Sequence, residues 1–190
     1  MDLARDLKAE GRQVFLDWKL HDIGATVEKA AAALAARGAG DLLTVHARPQ
    51  VMAAAMRGVE GSDLKVLGVT VLTSLSDDDL AAADHSLSAA DLVEHRVRQA
   101  LDAGVHGVVA SPHEAGRVRD IARAAGRTDF LIVTPGVRPS GAAFDDQARA
   151  ATPAAALQAG ATHLVIGRPI TGASDPRQAA LAIAESVALV

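Results

Sequence analysis

The sequence predicts an α/β protein made of repeated βα units around a parallel sheet, and three observations carry that expectation. Short aliphatic or β-branched runs alternate with alanine-rich stretches along the whole chain, which holds 42 alanines in 190 residues. The cores of the short runs are nearly continuous in apolar residues, as expected of strands covered on both faces. Helix start and stop signals recur with unusual regularity between them.

Taken in order, a charged amphipathic helix over Asp2 to Glu10 comes first, without a strand before it. Six strands follow: Gln13 to Asp17, Asp41 to His46, Lys65 to Val71, His106 to Ala110, Phe130 to Val133 and His163 to Ile166. Ser76 before Asp77-Asp78-Asp79 reads more simply as a negatively charged helix start, favoured by the macrodipole, than as a metal site. Ser88 with Asp91 reads as a capping box closed by Gly104 at the far end of the helix. Ser111-Pro112 with Glu114, Thr152-Pro153 with Gly160, and Ser174-Asp175-Pro176 repeat the scheme of cap and first-turn proline. Six strands are two short of the eight that close a barrel. The expected fold is therefore a (β/α)8 TIM barrel lacking its first two strands and first helix in this sequence. No linker or composition break divides residues 1–190, so a single domain, incomplete at its N-terminus, is expected.

Composition narrows the function. Hydrophobic residues make up 49%, charged residues 22% and the net charge is −4, which fits a globular protein and not a general nucleic-acid-binding surface. The four aromatic residues, Phe15, Trp18, Phe130 and Phe144, leave almost nothing for base stacking. With no cysteine, thiolate metal sites, disulfides and cysteine nucleophiles are excluded. No apolar run reaches the length of a membrane span and the amino end has no signal-peptide pattern, so a cytoplasmic location is expected.

The first strand runs into Asp17-Trp18-Lys19-Leu20-His21-Asp22-Ile23. Strand alternation would put Asp17 and Lys19 on one face and Leu16 and Trp18 on the other, at the carboxyl end where barrel enzymes keep their catalytic groups. A lysine between Asp17 and Asp22 would be held as an ammonium, placed to stabilise or protonate a carbanion. An ion pair that merely plugs the barrel mouth is the competing reading. Lys19 is one of four lysines beside 15 arginines, which favours a role needing a transferable proton. The last two strands end in glycine-containing loops, Thr134-Pro135-Gly136-Val137-Arg138-Pro139-Ser140-Gly141 and Gly167-Arg168-Pro169-Ile170-Thr171. Such loops form the usual phosphate site of barrels, and glycine at 167 would allow close backbone approach to the anion.

The segment Phe15-Leu16-Asp17-Trp18-Lys19-Leu20-His21-Asp22-Ile23 closely resembles the Asp-x-Lys-x-x-Asp-Ile signature of the orotidine 5'-monophosphate decarboxylase family. The resemblance continues in order through Val69 to Ser74, Val133 to Pro139, Asp145-Asp146-Gln147-Ala148-Arg149 and Val165 to Thr171. It implies a cofactor-free carboxy-lyase of UMP biosynthesis, without metal. Carried onto this sequence, it implies that Asp17 and Lys19 flank C6 of the pyrimidine, with Lys19 as proton donor. Asp22 and Thr26 would be contributed across a homodimer interface, with Ile23 beside them among the substrate-binding residues. Thr73 would contact the pyrimidine edge, Arg138 and Gln147 would belong to the lid and phosphate region, and Gly167 and Arg168 would hold the 5'-phosphate. The implied partner is a nucleotide, with neither nucleic acid nor membrane.

Three departures stand against that pattern. Gly24-Ala25 replace the family's usual Pro-Asn, Trp18 replaces a small or aliphatic residue and should face outward, and the strands that carry a substrate-binding aspartate and a further catalytic lysine are missing. Two alternatives remain at this level. One is a magnesium-dependent sugar-phosphate decarboxylase or aldolase of the same suprafamily, disfavoured by the Thr-Pro-Gly-x-Arg-Pro and Asp-Gln-x-Arg blocks; the other is a noncatalytic phosphate-binding remnant. Among the histidines, His46 at a strand end is expected to be a buried, hydrogen-bonded group, and no metal signature assembles.

Overall fold

All six expected strands form, and they hydrogen-bond in chain order. A computed structural model describes residues 2–139 and 151–188. The described elements are α1 (Asp2–Ala9), β1 (Phe15–Leu20), α2 (Gly24–Arg37), β2 (Leu42–His46), α3 (Pro49–Gly58), β3 (Lys65–Val69), α4 (Asp77–Ala82), α5 (Ala89–Asp102), β4 (Gly107–Val109), α6 (Ala115–Ala124), β5 (Leu131–Thr134), α7 (Pro153–Gln158), β6 (His163–Leu164), α8 (Arg168–Thr171) and α9 (Pro176–Val187). The chain divides into two compact units, Met1–Thr70 with His95–Val108, and Val71–Glu94 with Val109–Val190.

In the first unit β1, β2 and β3 pair in parallel. Their shared core is aliphatic: Leu43, Val45, Val66 and Leu67 have no measurable exposure. The alanine-rich α2 buries Val27, Ala31 and Leu34, an i, i+4, i+7 stripe, and α3 buries Val51, Met52, Ala54 and Ala55. Small residues let these two helices approach closely. A Cβ at Gly58 would lie 2.4 Å from the Glu28 carbonyl oxygen, so only glycine fits at that crossing. The amphipathic α1 buries none of its residues; Lys8 Nζ reaches Asp41 Oδ1 at 2.6 Å, and Asp41 Oδ2 accepts the Val14 amide at 2.7 Å. Burial alone would raise the Asp41 pKa, but the Lys8 and Val14 hydrogen bonds outweigh it and hold the carboxyl below its usual range.

In the second unit β5 pairs in parallel with β6 through Val133 with His163 and Thr134 with Leu164. Phe130 and Ile132 are fully buried, and α6 buries Val118, Ile121 and Ala122. The Arg119 guanidinium donates to the carbonyls of both Phe130 and Gly160, which ties α6 to the start of β5 and to the turn after α7. The caps behave largely as the sequence predicts. Ser76 and Asp79 form a reciprocal capping box, Ser88 Oγ accepts the Asp91 amide, Thr152 caps α7 and Asp175 caps α9. Asp77 adds an acceptor for the Ala89 amide. The expected start at Ser111-Pro112 is different: Ser111 Oγ accepts the His113 amide in a turn, and α6 begins only at Ala115. A local side-chain hydrogen bond there competes with the first helical turn.

Candidate active site

β1 is not a plain strand, and its irregularity creates the site. Leu16 pairs with Leu43 and Leu20 with Val45, so four steps on β1 face two on β2. Such a bulge bends a strand and redirects its side chains. Lys19 absorbs the distortion with φ of 47°, a left-handed backbone that costs a non-glycine residue roughly 1–2 kcal/mol. Asp17 and Lys19 are thus brought together as the sequence predicts, but through the bulge and not through strand alternation. Lys19 Nζ donates to Asp17 Oδ2 at 2.6 Å. Both side chains remain more than a third exposed, so the pair is a surface contact and not a buried clamp.

Thr44, from the middle of β2 and fully buried, organises this pair. Its Oγ1 accepts the Lys19 amide at 2.9 Å and donates to Asp17 Oδ1 at 3.0 Å. Sequence reading did not single out Thr44. The available signal was one hydroxyl residue inside the otherwise apolar run Leu42-Leu43-Thr44-Val45.

The remaining predicted residues of this unit lie just beyond. Asp22 turns to the backbone, its Oδ1 accepting the Ile23 amide at 2.6 Å. Ile23 is 72% exposed, a large apolar side chain left on the surface, and Thr26 is exposed on the first turn of α2. His21, Asp22 and Ile23 line a cavity of about 560 Å³ with Arg48, Pro49, Gln50 and Val51. Trp18 is half-exposed, in keeping with an outward position. His46, expected to be buried and hydrogen-bonded, is partly buried and packs its ring on His21 with centroids 4.8 Å apart. Burial, then the neighbouring His21, Arg96, Arg48 and Lys19, push its pKa below the ordinary histidine value.

The second unit carries the other predicted residues. Thr73 lies half-buried in the loop after β3. Arg138 is buried, and its amide donates to the Ala151 carbonyl at 2.9 Å beside a Val137–Ala151 bridge. The preceding Gly136 has φ of 78°, a conformation that the turn after β5 requires and that glycine adopts at little cost. Gly167 and Arg168 are exposed, Gly167 capping the short α8 with its carbonyl accepting the Ile170 and Thr171 amides. No heavy atom lies within 4 Å of a Cβ built at Gly167, so the backbone there faces open space. Gln147 falls outside the described residues. Among the described residues no group of three potential metal ligands assembles, and no helix is long and apolar enough to cross a membrane.

Comparison with known proteins gives a consistent result. The family model described as "Orotidine 5'-phosphate decarboxylase / HUMPS family" matches residues 1–183. The chain is 64% identical over 188 residues to the orotidine 5'-phosphate decarboxylase of Caulobacter vibrioides (strain NA1000 / CB15N), covering 99% of this chain and 80% of that protein. It is 56% identical over 185 residues to the enzyme of that name from Cereibacter sphaeroides, covering 95% and 77%. Among solved structures, orotidine 5'-phosphate decarboxylase from Lactobacillus acidophilus superposes with a TM-score of 0.81 at 36% identity, covering 98% of this chain and 80% of that one. The six parallel βα units are consistent with a partial (β/α)8 barrel in the α/β class. The chain therefore belongs to the orotidine 5'-phosphate decarboxylase / HUMPS family.

Proposed function

We propose that this protein is a carboxy-lyase that converts orotidine 5'-phosphate to UMP in pyrimidine biosynthesis. The observation that carries the reading is the Asp17–Lys19 pair at 2.6 Å on the bulged end of β1, in a chain 64% identical to a protein of that name. Loss of carbon dioxide leaves an electron pair on C6 of the pyrimidine. The Lys19 ammonium stabilises that charge and then gives C6 its proton, while Asp17 keeps the ammonium aimed. No metal or organic cofactor enters this scheme.

The remaining assignments follow from the same reading. Gly167 and Arg168 bind the 5'-phosphate, supported by the open backbone at Gly167. Arg138 and Gln147 belong to the phosphate and lid region, and Thr73 meets the pyrimidine edge. Binding energy from the phosphate, remote from C6, helps organise the transition state. Asp22, Ile23 and Thr26 complete the site of a second copy in a homodimer; the exposed apolar side chain of Ile23 at the edge of a cavity supports an interface there. Residues 1–190 belong in this reading to one catalytic domain, and the enzyme works in the cytoplasm.

Adding the purified protein to orotidine 5'-phosphate and following the loss of its absorbance tests the reaction, with UMP and carbon dioxide expected in equal amounts. No turnover with or without added magnesium would refute it, and turnover that requires magnesium would move the protein to another branch of the family. Mixing Lys19→Ala and Asp22→Ala chains tests the shared site. Random re-association leaves one intact site in each heterodimer and restores about a quarter of parent activity. A mixture no more active than its components would place Asp22 in its own subunit's site.

A further inference from the structure

We infer that Thr44 is a positioning residue for the decarboxylation, holding both the backbone of the proton donor and the carboxylate beside it. The inference rests on the proposed decarboxylase activity. Its structural part stands on three hydrogen bonds that close a triangle among three residues: the Lys19 amide to Thr44 Oγ1 at 2.9 Å, Thr44 Oγ1 to Asp17 Oδ1 at 3.0 Å, and Lys19 Nζ to Asp17 Oδ2 at 2.6 Å.

A hydroxyl is suited to this place because it accepts and donates at once. The bulge takes the Lys19 amide out of register with the β2 backbone, and Thr44 Oγ1 supplies the acceptor that the ladder does not. The single hydroxyl proton then has two acceptors in range, Asp17 Oδ1 at 3.0 Å and the Leu16 carbonyl at 3.5 Å, and the shorter, charge-assisted contact wins. Lys19 is held at φ of 47°, and such a conformation persists only where its surroundings over-determine it. Thr44 is fully buried on β2, the strand paired to β1, so its oxygen is a fixed point from which both partners are aimed. Thr44 does not reach substrate through any of these contacts. It acts through Lys19 and Asp17.

The test compares Thr44→Val, which keeps the β-branch but can neither donate nor accept, with Thr44→Ser, which keeps the hydroxyl. Thr44→Val should lower kcat on orotidine 5'-phosphate by about tenfold or more, with KM changed less than about threefold, because a misaimed donor slows chemistry without removing the phosphate contacts. Thr44→Ser should restore kcat to within about threefold of the parent. In 15N-labelled protein the Lys19 amide should exchange slowly in the parent and Ser forms and fast in the Val form. A folded Val variant with parent kcat, or a Ser variant as slow as the Val variant, overturns the inference. If the Val variant does not fold, Thr44→Ala against Thr44→Ser makes the same comparison with the same criteria. A parent protein that leaves orotidine 5'-phosphate untouched refutes the decarboxylase reading alone. Amide exchange then decides the role of Thr44, and equal Lys19 protection in parent and Val forms rejects it.

Discussion

The charged end of β1 and the loops after β5 and β6 differ in the local structure that carries their proposed functional residues. Asp17 and Lys19 are fixed by side-chain hydrogen bonds, to each other and to Thr44. Around Arg138 and Gly167 the backbone contributes its own shape: a left-handed glycine at 136, a bridge between Val137 and Ala151, and the Gly167 carbonyl capping α8. The difference fits the two tasks proposed for them. Proton transfer needs one nitrogen aimed at one carbon, whereas a phosphate accepts hydrogen bonds from many directions and needs mainly an open backbone turn with an arginine beside it. Strain follows the same division, since Lys19 bears a left-handed backbone despite its Cβ while Gly136 adopts one at little cost.

Substitutions can break this comparison or sharpen it. The largest ligand effect is expected at Arg168. Arg168→Ala should weaken UMP binding by about 1.5–3 kcal/mol, the range for a hydrogen bond to a charged group, and leave uridine binding nearly unchanged. Calorimetric titration with both ligands decides it, and equal weakening would mean that Arg168 is not a phosphate ligand. Next comes Gly136→Ala, expected to cost about 1–2 kcal/mol because alanine must take φ of 78°. A urea midpoint equal to the parent's would show that the turn relaxes freely and that backbone geometry does not present this loop.

The smallest effect concerns the first region. His46 has its pKa pushed below the ordinary value, first by burial and then by adjacent positive charge. The unfolded chain then binds a proton more readily than the folded one once pH falls below the ordinary histidine pKa. His46 thus contributes no penalty above about pH 6.5, and stability is lost as pH falls from there toward its folded pKa, by at most about 1.4 kcal/mol per unit. His46→Gln should flatten this dependence between pH 7.5 and 5.5. Parallel urea midpoints for parent and variant over that range would contradict the assignment.

Much of this molecule was legible before any coordinates. Aliphatic runs flagged all six strands, because a strand covered on both faces must be apolar throughout, and Thr152-Pro153 and Ser76 with Asp79 marked helix starts through chemistry confined to four residues. Ser111-Pro112 misled because its cap was satisfied by a turn instead. The pairing of Asp17 with Lys19 followed from spacing, yet the route to it did not: a bulge depends on the register against β2, which is a long-range property. Thr44 escaped for the same reason, since its partners lie 25 and 27 residues away. His46 next to His21 likewise depends on β2 lying beside the loop after β1.

The central claim is that the ammonium of Lys19, held by Asp17, gives C6 its proton. The most direct measurement is turnover of orotidine 5'-phosphate by Lys19→Ala beside titration of the same variant with UMP. The account predicts turnover reduced by about a hundredfold or more, the least expected for loss of a general acid, with UMP still bound through its phosphate. Turnover above about a hundredth of the parent rate would contradict it.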